Sequence, residues 1–160
     1  MATFYVSKSG NDSNNGAGAG TAKLTIGAAV GLAVTAVGAG VGTNIITVGD
    51  GTYTETITYS LSNLTIKSTS SDRSACIITQ SNGSTIVLAK GTTGNVFQHL
   101  TIQNTDDDTN DNGIYGANGG SGSKASFTVE DCIFDCQSAA INYAHGCTIK
   151  RTKFFVNGAD

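Results

Sequence analysis

The segment Asp108-Thr109-Asn110-Asp111-Asn112-Gly113 fits the opening D-x-[DN]-x-[DN]-G of a calcium loop, and Asp106 and Asp107 add charge beside it. In that pattern Asp108, Asn110 and Asn112 would offer side-chain oxygens to a hard cation. Such loops close with a Glu at the twelfth position, where this chain has Gly119. The other reading is a solvated turn, because Asn and Asp tolerate left-handed backbone. The cofactor expectation is therefore Ca2+ or none.

A second set comprises Glu130, Asp131 and Asp135, with Lys150, Arg151 and Lys153 further along. Placed side by side, these charges could form a reactive cluster, or a salt-bridge ladder with no chemistry in it. A glycosidase needs paired carboxylates flanking a cleft, and the sequence locates no cleft. His99 reads as an exposed turn residue, with catalysis as the lesser reading. Tyr115 and Tyr143 could stack on a sugar ring, although tyrosines pack at core or rim more often. The absence of Trp counts against a long saccharide groove.

Four cysteines, Cys76, Cys132, Cys136 and Cys147, permit two disulfides in three connectivities. Three of them fall within strand patterns, where a thiol behaves as a small hydrophobe, so unpaired core thiols are expected. No His lies at a ligand interval from a Cys pair, which leaves no zinc site.

The chain that must position these residues has 160 residues, enough for one domain with a real core. It contains 21 Gly and no Pro, and only 13% of its residues are charged. That bias suits many short β-branched strands joined by tight polar turns rather than disorder. The net charge of −3 comes with no basic patch, so nucleic acid is not an expected partner. The uncharged stretch Leu24 to Gly49 is rich in Gly, Ala and Thr, whereas a membrane span wants ~20 strongly apolar residues. No span is expected. Met1 to Lys23 is polar and lacks the basic-then-apolar layout of a secretory signal.

Self-similarity organises the rest. Leu61-Ser62-Asn63-Leu64-Thr65-Ile66, Phe97-Gln98-His99-Leu100-Thr101-Ile102, Val129-Glu130-Asp131-Cys132-Ile133-Phe134 and Ile149-Lys150-Arg151-Thr152-Lys153-Phe154 align without gaps, starting at intervals of 36, 32 and 20 residues. Each begins and ends apolar, with a polar pair after the first position. A second short strand follows two of them, at Gly113-Ile114-Tyr115 and Ala140-Ile141-Asn142-Tyr143. The rhythm is too long for hairpins and lacks the helices of βα units, so it describes a solenoid. Leu64, Leu100, Cys132 and Thr152 are expected to stack on successive rungs, as are Ile66, Ile102, Phe134 and Phe154. Outward positions then carry Glu130, Asp131, Asp135, Lys150, Arg151 and Lys153.

The first rung needs cover. Thr25 reads as a helix N-cap with Leu24 as staple partner, and Ile26, Ala29, Val30, Ala33 and Val37 recur at helical spacing before Gly38 to Gly42 stops the run. The expected organisation is a single domain: strand and polar turn over 1–23, cap helix over 24–42, rungs over 43–160 with the last incomplete. An uncovered last rung is expected to meet another subunit or a continuation of the chain.

Phe4-Tyr5-Val6-Ser7-Lys8-Ser9-Gly10-Asn11-Asp12, then Leu24-Thr25-Ile26-Gly27-Ala28-Ala29-Val30, then Ile46-Thr47-Val48-Gly49-Asp50-Gly51-Thr52-Tyr53, resembles the N-terminal part of the pectin-lyase-like β-helix superfamily. The resemblance implies an all-β fold, a right-handed parallel β-helix with an N-terminal capping α-helix. Members usually carry Pro before the cap helix and before the glycine of the Gly51-Thr52-Tyr53 turn, and this chain has neither. The superfamily hosts polysaccharide lyases, phage tailspikes and surface proteins, so the resemblance speaks for fold more than for activity. Its lyases use carboxylates holding calcium with a Lys or Arg as base, which Glu130, Asp131, Asp135, Lys150 and Arg151 could supply.

The leading functional expectation is a non-catalytic structural or surface-attachment protein, of a phage virion or bacterial surface, located outside the cell. The alternatives are the N-terminal part of a polysaccharide lyase or tailspike glycosidase, and a carbohydrate-binding module. Polysaccharide is the partner these alternatives imply.

Overall fold

The structure is a computed structural model and describes residues 1–38, 40, 42–105, 111–116 and 124–156. Strand β1 (Ala2–Val6) leads through a polar turn into helix α1 (Ile26–Gly38). The first coil is β2 (Asn44–Val48), β3 (Gly51–Thr54) and β4 (Ile57–Tyr59), and the second is β5 (Leu64–Ser68), β6 (Cys76–Gln80) and β7 (Ile86–Leu88). The third is β8 (Asn95–Gln98), β9 (Thr101–Asn104) and β10 (Asn112–Gly116). The fourth is β11 (Phe127–Glu130), β12 (Ile133–Cys136) and β13 (Ala139–Asn142), and a last coil holds β14 (Thr148–Lys150) and β15 (Lys153–Val156).

All pairings between these strands are parallel and join equivalent strands of successive coils into three sheets. Sheet A runs β1-β2-β5-β8-β11-β14, sheet B runs β3-β6-β9-β12-β15, and sheet C runs β4-β7-β10-β13. Each sheet feeds inward columns to the core, one of them apolar from end to end. In sheet A the column is Phe4, Ile46, Ile66, Phe97, Val129 and Ile149. In sheet B it is Tyr53, Ile78, Ile102, Phe134 and Phe154, and in sheet C Ile57, Ile86, Ile114 and Ile141. Most of these are fully buried, so a single apolar column of stacked coils supplies the stability that no coil could supply alone. Ile149 and Phe154, on the last described coil, are nearly half exposed.

The fourfold alignment captured a corner rather than a strand. Asn63, His99, Asp131 and Arg151 all adopt left-handed backbone, with φ of 59°, 55°, 52° and 45°. At Asn63, His99 and Asp131 the polar residue turns the chain outward and the apolar residues on either side return to the core, while Ile149 beside Arg151 stays nearly half exposed. Three of these corners join sheet A to sheet B, and Leu100, Cys132 and Thr152 do follow one another along that edge, with Ile133 N–H bonding the Leu100 carbonyl and Lys153 N–H the Cys132 carbonyl. The corner at Asn63 instead joins sheet C to sheet A. Leu64 therefore pairs with Asn44, and Ile66 stacks between Ile46 and Phe97 rather than with Ile102. One turn chemistry serves two corners, and a local motif cannot distinguish them.

Helix α1 buries Ile26, Ala29, Val30 and Ala33 against β1, β2 and β4. Val37 and Leu24, expected to pack, are 37% and 38% exposed, because the buried stripe ends a turn early and the staple is replaced by carboxylates. Thr25 Oγ1 accepts from Ala28 N–H. Glu55, from the first coil, accepts from Ile26 N–H and Gly27 N–H at 2.9 and 2.8 Å. Asp12 accepts from the N–H groups of Leu24 and Thr25 and from the Thr25 hydroxyl. Desolvation alone would raise the Asp12 carboxyl, yet these hydrogen bonds and the Lys23 charge hold it below its ordinary value. Both carboxylates sit where the helix leaves N–H groups unmatched and its dipole favours negative charge. Gly27 admits Glu55: a Cβ there would lie 3.2 Å from its Oε2.

Among the described residues no helix is long and apolar enough to cross a membrane. Cys76, Cys132, Cys136 and Cys147 are unpaired. Burial pushes the Cys76 thiol up to about 12 and those of Cys132 and Cys136 to about 11, as expected of core thiols.

Candidate functional site

The charged candidates gather at the corner between sheets A and B. Glu130 ends β11, Asp131 is the left-handed corner residue, and Arg151 is the same corner one coil later. Stacked corners place the guanidinium over the carboxylates. Arg151 donates through Nε and an Nη to the two oxygens of Asp131, at 2.8 and 2.7 Å, and to Glu130 Oε1 at 2.6 Å. Glu130 Oε2 accepts from Gln98 Nε2 at 3.0 Å. Arg73, in the turn between β5 and β6, donates to the carbonyls of Arg151 at 2.7 Å and Cys132 at 3.3 Å, and Thr101 Oγ1 bonds the Arg73 carbonyl. That turn thus straps the corner across several coils. Arg73 was not among the sequence candidates, because nothing local marks a side chain that acts that far along the chain.

Hydrogen bonds from Gln98 and then Arg151 lower the Glu130 carboxyl, and those from Arg151 lower Asp131. Two ionised carboxylates clasped in this way cannot serve as general acids near neutrality. Every oxygen of the pair already faces a donor, so calcium does not fit here without displacing the guanidinium. The arrangement is the cross-coil ladder. Lys150 lies beside Glu130 in the register of sheet A. Asp135 is separated from them around the corner: it faces outward on sheet B, where its Oδ2 accepts from Gln103 Nε2 at 2.9 Å.

A depressed carboxyl contributes stability above the ordinary carboxylate range and loses it as pH falls through the depressed value. Carboxyl resonances of Asp131 should therefore titrate below 3.8, its ordinary value, and Arg151→Met should return the midpoint towards it. An unshifted midpoint in the parent chain would show that the clasp does not form in solution.

Of the calcium candidates, Asp108 and Asn110 lie outside the described residues. Asn112 is fully buried on β10, with its backbone N–H bonded to Ser84 Oγ, and so faces inward. Asp111 accepts from Gly83 N–H at 2.7 Å. Among the described residues no group of three or more His, Cys, Asp or Glu could hold a metal ion.

Tyr115 and Tyr143 meet on the other side of the coil. Tyr115 points outward from β10 in sheet C, beside Asn142 in register. Tyr143 follows β13 at a left-handed φ of 52°, an uncommon conformation for so bulky a residue. Its ring packs edge-to-face on Tyr115 with centroids 5.4 Å apart, and the residue stays 40% exposed. Asn142 Oδ1 accepts from Tyr143 N–H. Gly116 makes room for the turn, since a Cβ there would lie 2.5 Å from the Tyr143 carbonyl oxygen. The result is a braced aromatic edge beside an outward amide. Thr58 and Val87 continue the same outward row. The sheet A–sheet B corner faces away from this surface, so the charged cluster and the tyrosines are two separate features.

No family model matches the sequence, and no curated protein matches it. Solved structures do. The pectin methylesterase PemA from Erwinia chrysanthemi is 18% identical with a TM-score of 0.60, covering 88% of this chain and 46% of that one. A pectin methylesterase variant in complex with a hexasaccharide is 17% identical with a TM-score of 0.66, covering 96% and 49%. The pectin methylesterase from Aspergillus niger is 16% identical with a TM-score of 0.57, covering 99% and 58%. The chain spans about half the length of the structures it matches. The likeness establishes the fold alone, a right-handed parallel β-helix with one helix near the N-terminus. It also corrects the leading functional expectation. The non-catalytic structural or surface-attachment reading is overturned, because the matched structures are pectin methylesterases, and virion or tailspike relatives find no support.

Proposed function

We propose that this chain is the saccharide-contacting part of an extracellular, carbohydrate-active β-helix, with polysaccharide lying on the outer face of sheet C against Tyr143 and Tyr115. The observation that carries this reading is the tyrosine pair. A bulky ring is held at left-handed backbone, braced by a second ring and accommodated by a glycine, and strain of that kind concentrates at sites of recognition. An exposed ring face and the Asn142 amide beside it suit the apolar face and the hydroxyls of a sugar. The matched structures support the polymer class, since they are named for pectin and one of them holds a hexasaccharide. The extracellular setting rests on the Aspergillus niger structure, which retains an N-acetylglucosamine stub.

A second reading, a binding module without turnover, is favoured by one observation: both carboxylates of the charged cluster are engaged by Arg151. Calorimetric titration with pectin oligosaccharides, combined with an assay of product release, separates the two. Tyr143→Ala should weaken binding by about three- to tenfold, the range expected for one aromatic contact. Unchanged affinity in that variant would remove the tyrosine pair from the site.

A further inference from the structure

We propose that the outer face of sheet A carries a separate site for a carboxylate-bearing sugar, seated between Tyr5 and Lys67. A cleft of about 390 Å³ opens there over the first coils, lined by Thr3, Tyr5, Ile45, Thr47, Lys67 and the start of the β5–β6 turn. That volume lies in the lower range of small-ligand sites, enough for a sugar ring or two. The register explains the cleft. Tyr5, Thr47 and Lys67 occupy one outward row on β1, β2 and β5, and Thr3 and Ile45 the next row. At ~4.8 Å per coil, the backbones that carry Tyr5 and Lys67 stand ~10 Å apart across Thr47, a gap that a sugar ring and its substituents bridge.

The same row is saturated further along. Gln98, Glu130 and Lys150 continue it, and Gln98 spends its amide on Glu130. Among the described residues Lys67 makes no ion pair, and the side chains of Tyr5, Thr3 and Thr47 make no hydrogen bond to another described residue. The nearby acids are occupied: Asp72 accepts from the N–H and hydroxyl of Ser74, and Glu130 from Gln98 and Arg151. One unmatched cation, three hydroxyl groups and an aliphatic floor at Ile45 remain. A uronate answers each: its carboxylate to Lys67, its hydroxyls to Thr3, Thr47 and Tyr5, and its apolar face to Ile45. A phosphate dianion would leave the Ile45 surface uncovered, whereas the ring of a uronate covers it.

These residues belong to a different sheet from the tyrosine pair, so the inference stands independently of the proposed function. The test is amide-shift titration of the isotope-labelled chain with glucuronate and, in parallel, with glucose. Glucuronate should shift Tyr5, Thr47 and Lys67 saturably, glucose at least tenfold more weakly. Lys67→Met should weaken the uronate at these amides at least about tenfold, the loss expected of a charge-assisted hydrogen bond. Lys67 faces solvent from a strand, so circular dichroism should show the variant folded. Equal binding of glucose, indifference to Lys67→Met, or no saturable shift at these amides by roughly 50 mM uronate would each overturn the assignment.

Discussion

Val30→Asp should unfold or strongly destabilise the chain, with a loss of ~3–5 kcal/mol, while Val34→Asp on the same helix should be close to neutral. Val30 is 5% exposed, pressed by α1 onto the first coil, whereas Val34 is 47% exposed. A carboxylate at Val30 would lose its water and gain no cation. A marginally stable domain has only about 5–15 kcal/mol in hand, so a loss of this size should show as a lowered urea midpoint and poor solubility. If Val30→Asp and Val34→Asp unfold alike, the helix does not cap the coil along the face described.

Phe97→Ala is the second large effect, expected at ~3–5 kcal/mol. Phe97 is fully buried in the sheet A column between Ile66 and Val129, and its ring meets Phe127 edge-to-face with centroids 5.9 Å apart. Removing it empties the middle of the column, where coils stabilise one another only through nearest neighbours. Unfolding should therefore become broader as well as earlier, because the coils on either side of the cavity lose their coupling. Denaturant unfolding followed by tyrosine fluorescence would measure both. A loss below about 1 kcal/mol with an unchanged slope would mean that the column is not packed there.

The solenoid was legible because its corners are local. An outward polar residue at left-handed backbone within an apolar frame leaves a trace in six letters, and Asn63, His99, Asp131 and Arg151 all leave it. Which corner each one turns was not legible, since that depends on coil lengths set by the inserted turns. Hence Ile66 was expected in the column of Ile102 and is found in that of Phe97. The long-range partners were also hidden. Asp12 and Glu55 reach the helix from outside its own sequence, and Arg73 crosses several coils to the Arg151 carbonyl. Among the site candidates, the charge pattern correctly placed Asp131 and Arg151 outward and adjacent. It could not say that their hydrogen bonds would be spent on each other. Tyr115 and Tyr143 aligned only loosely in sequence for a physical reason: the register partner of Tyr115 is Asn142, and Tyr143 reaches Tyr115 by its backbone turn.

The polysaccharide reading is tested most directly by mapping a pectin hexasaccharide onto the labelled chain by amide shifts, in the Lys67→Met background so that sheet A does not contribute. The account predicts saturable changes centred on Val87, Tyr115, Asn142 and Tyr143, along the outer face of sheet C. Changes confined to Glu130, Asp131 and Arg151 at the opposite corner, or no saturable change at the tyrosines, would contradict it.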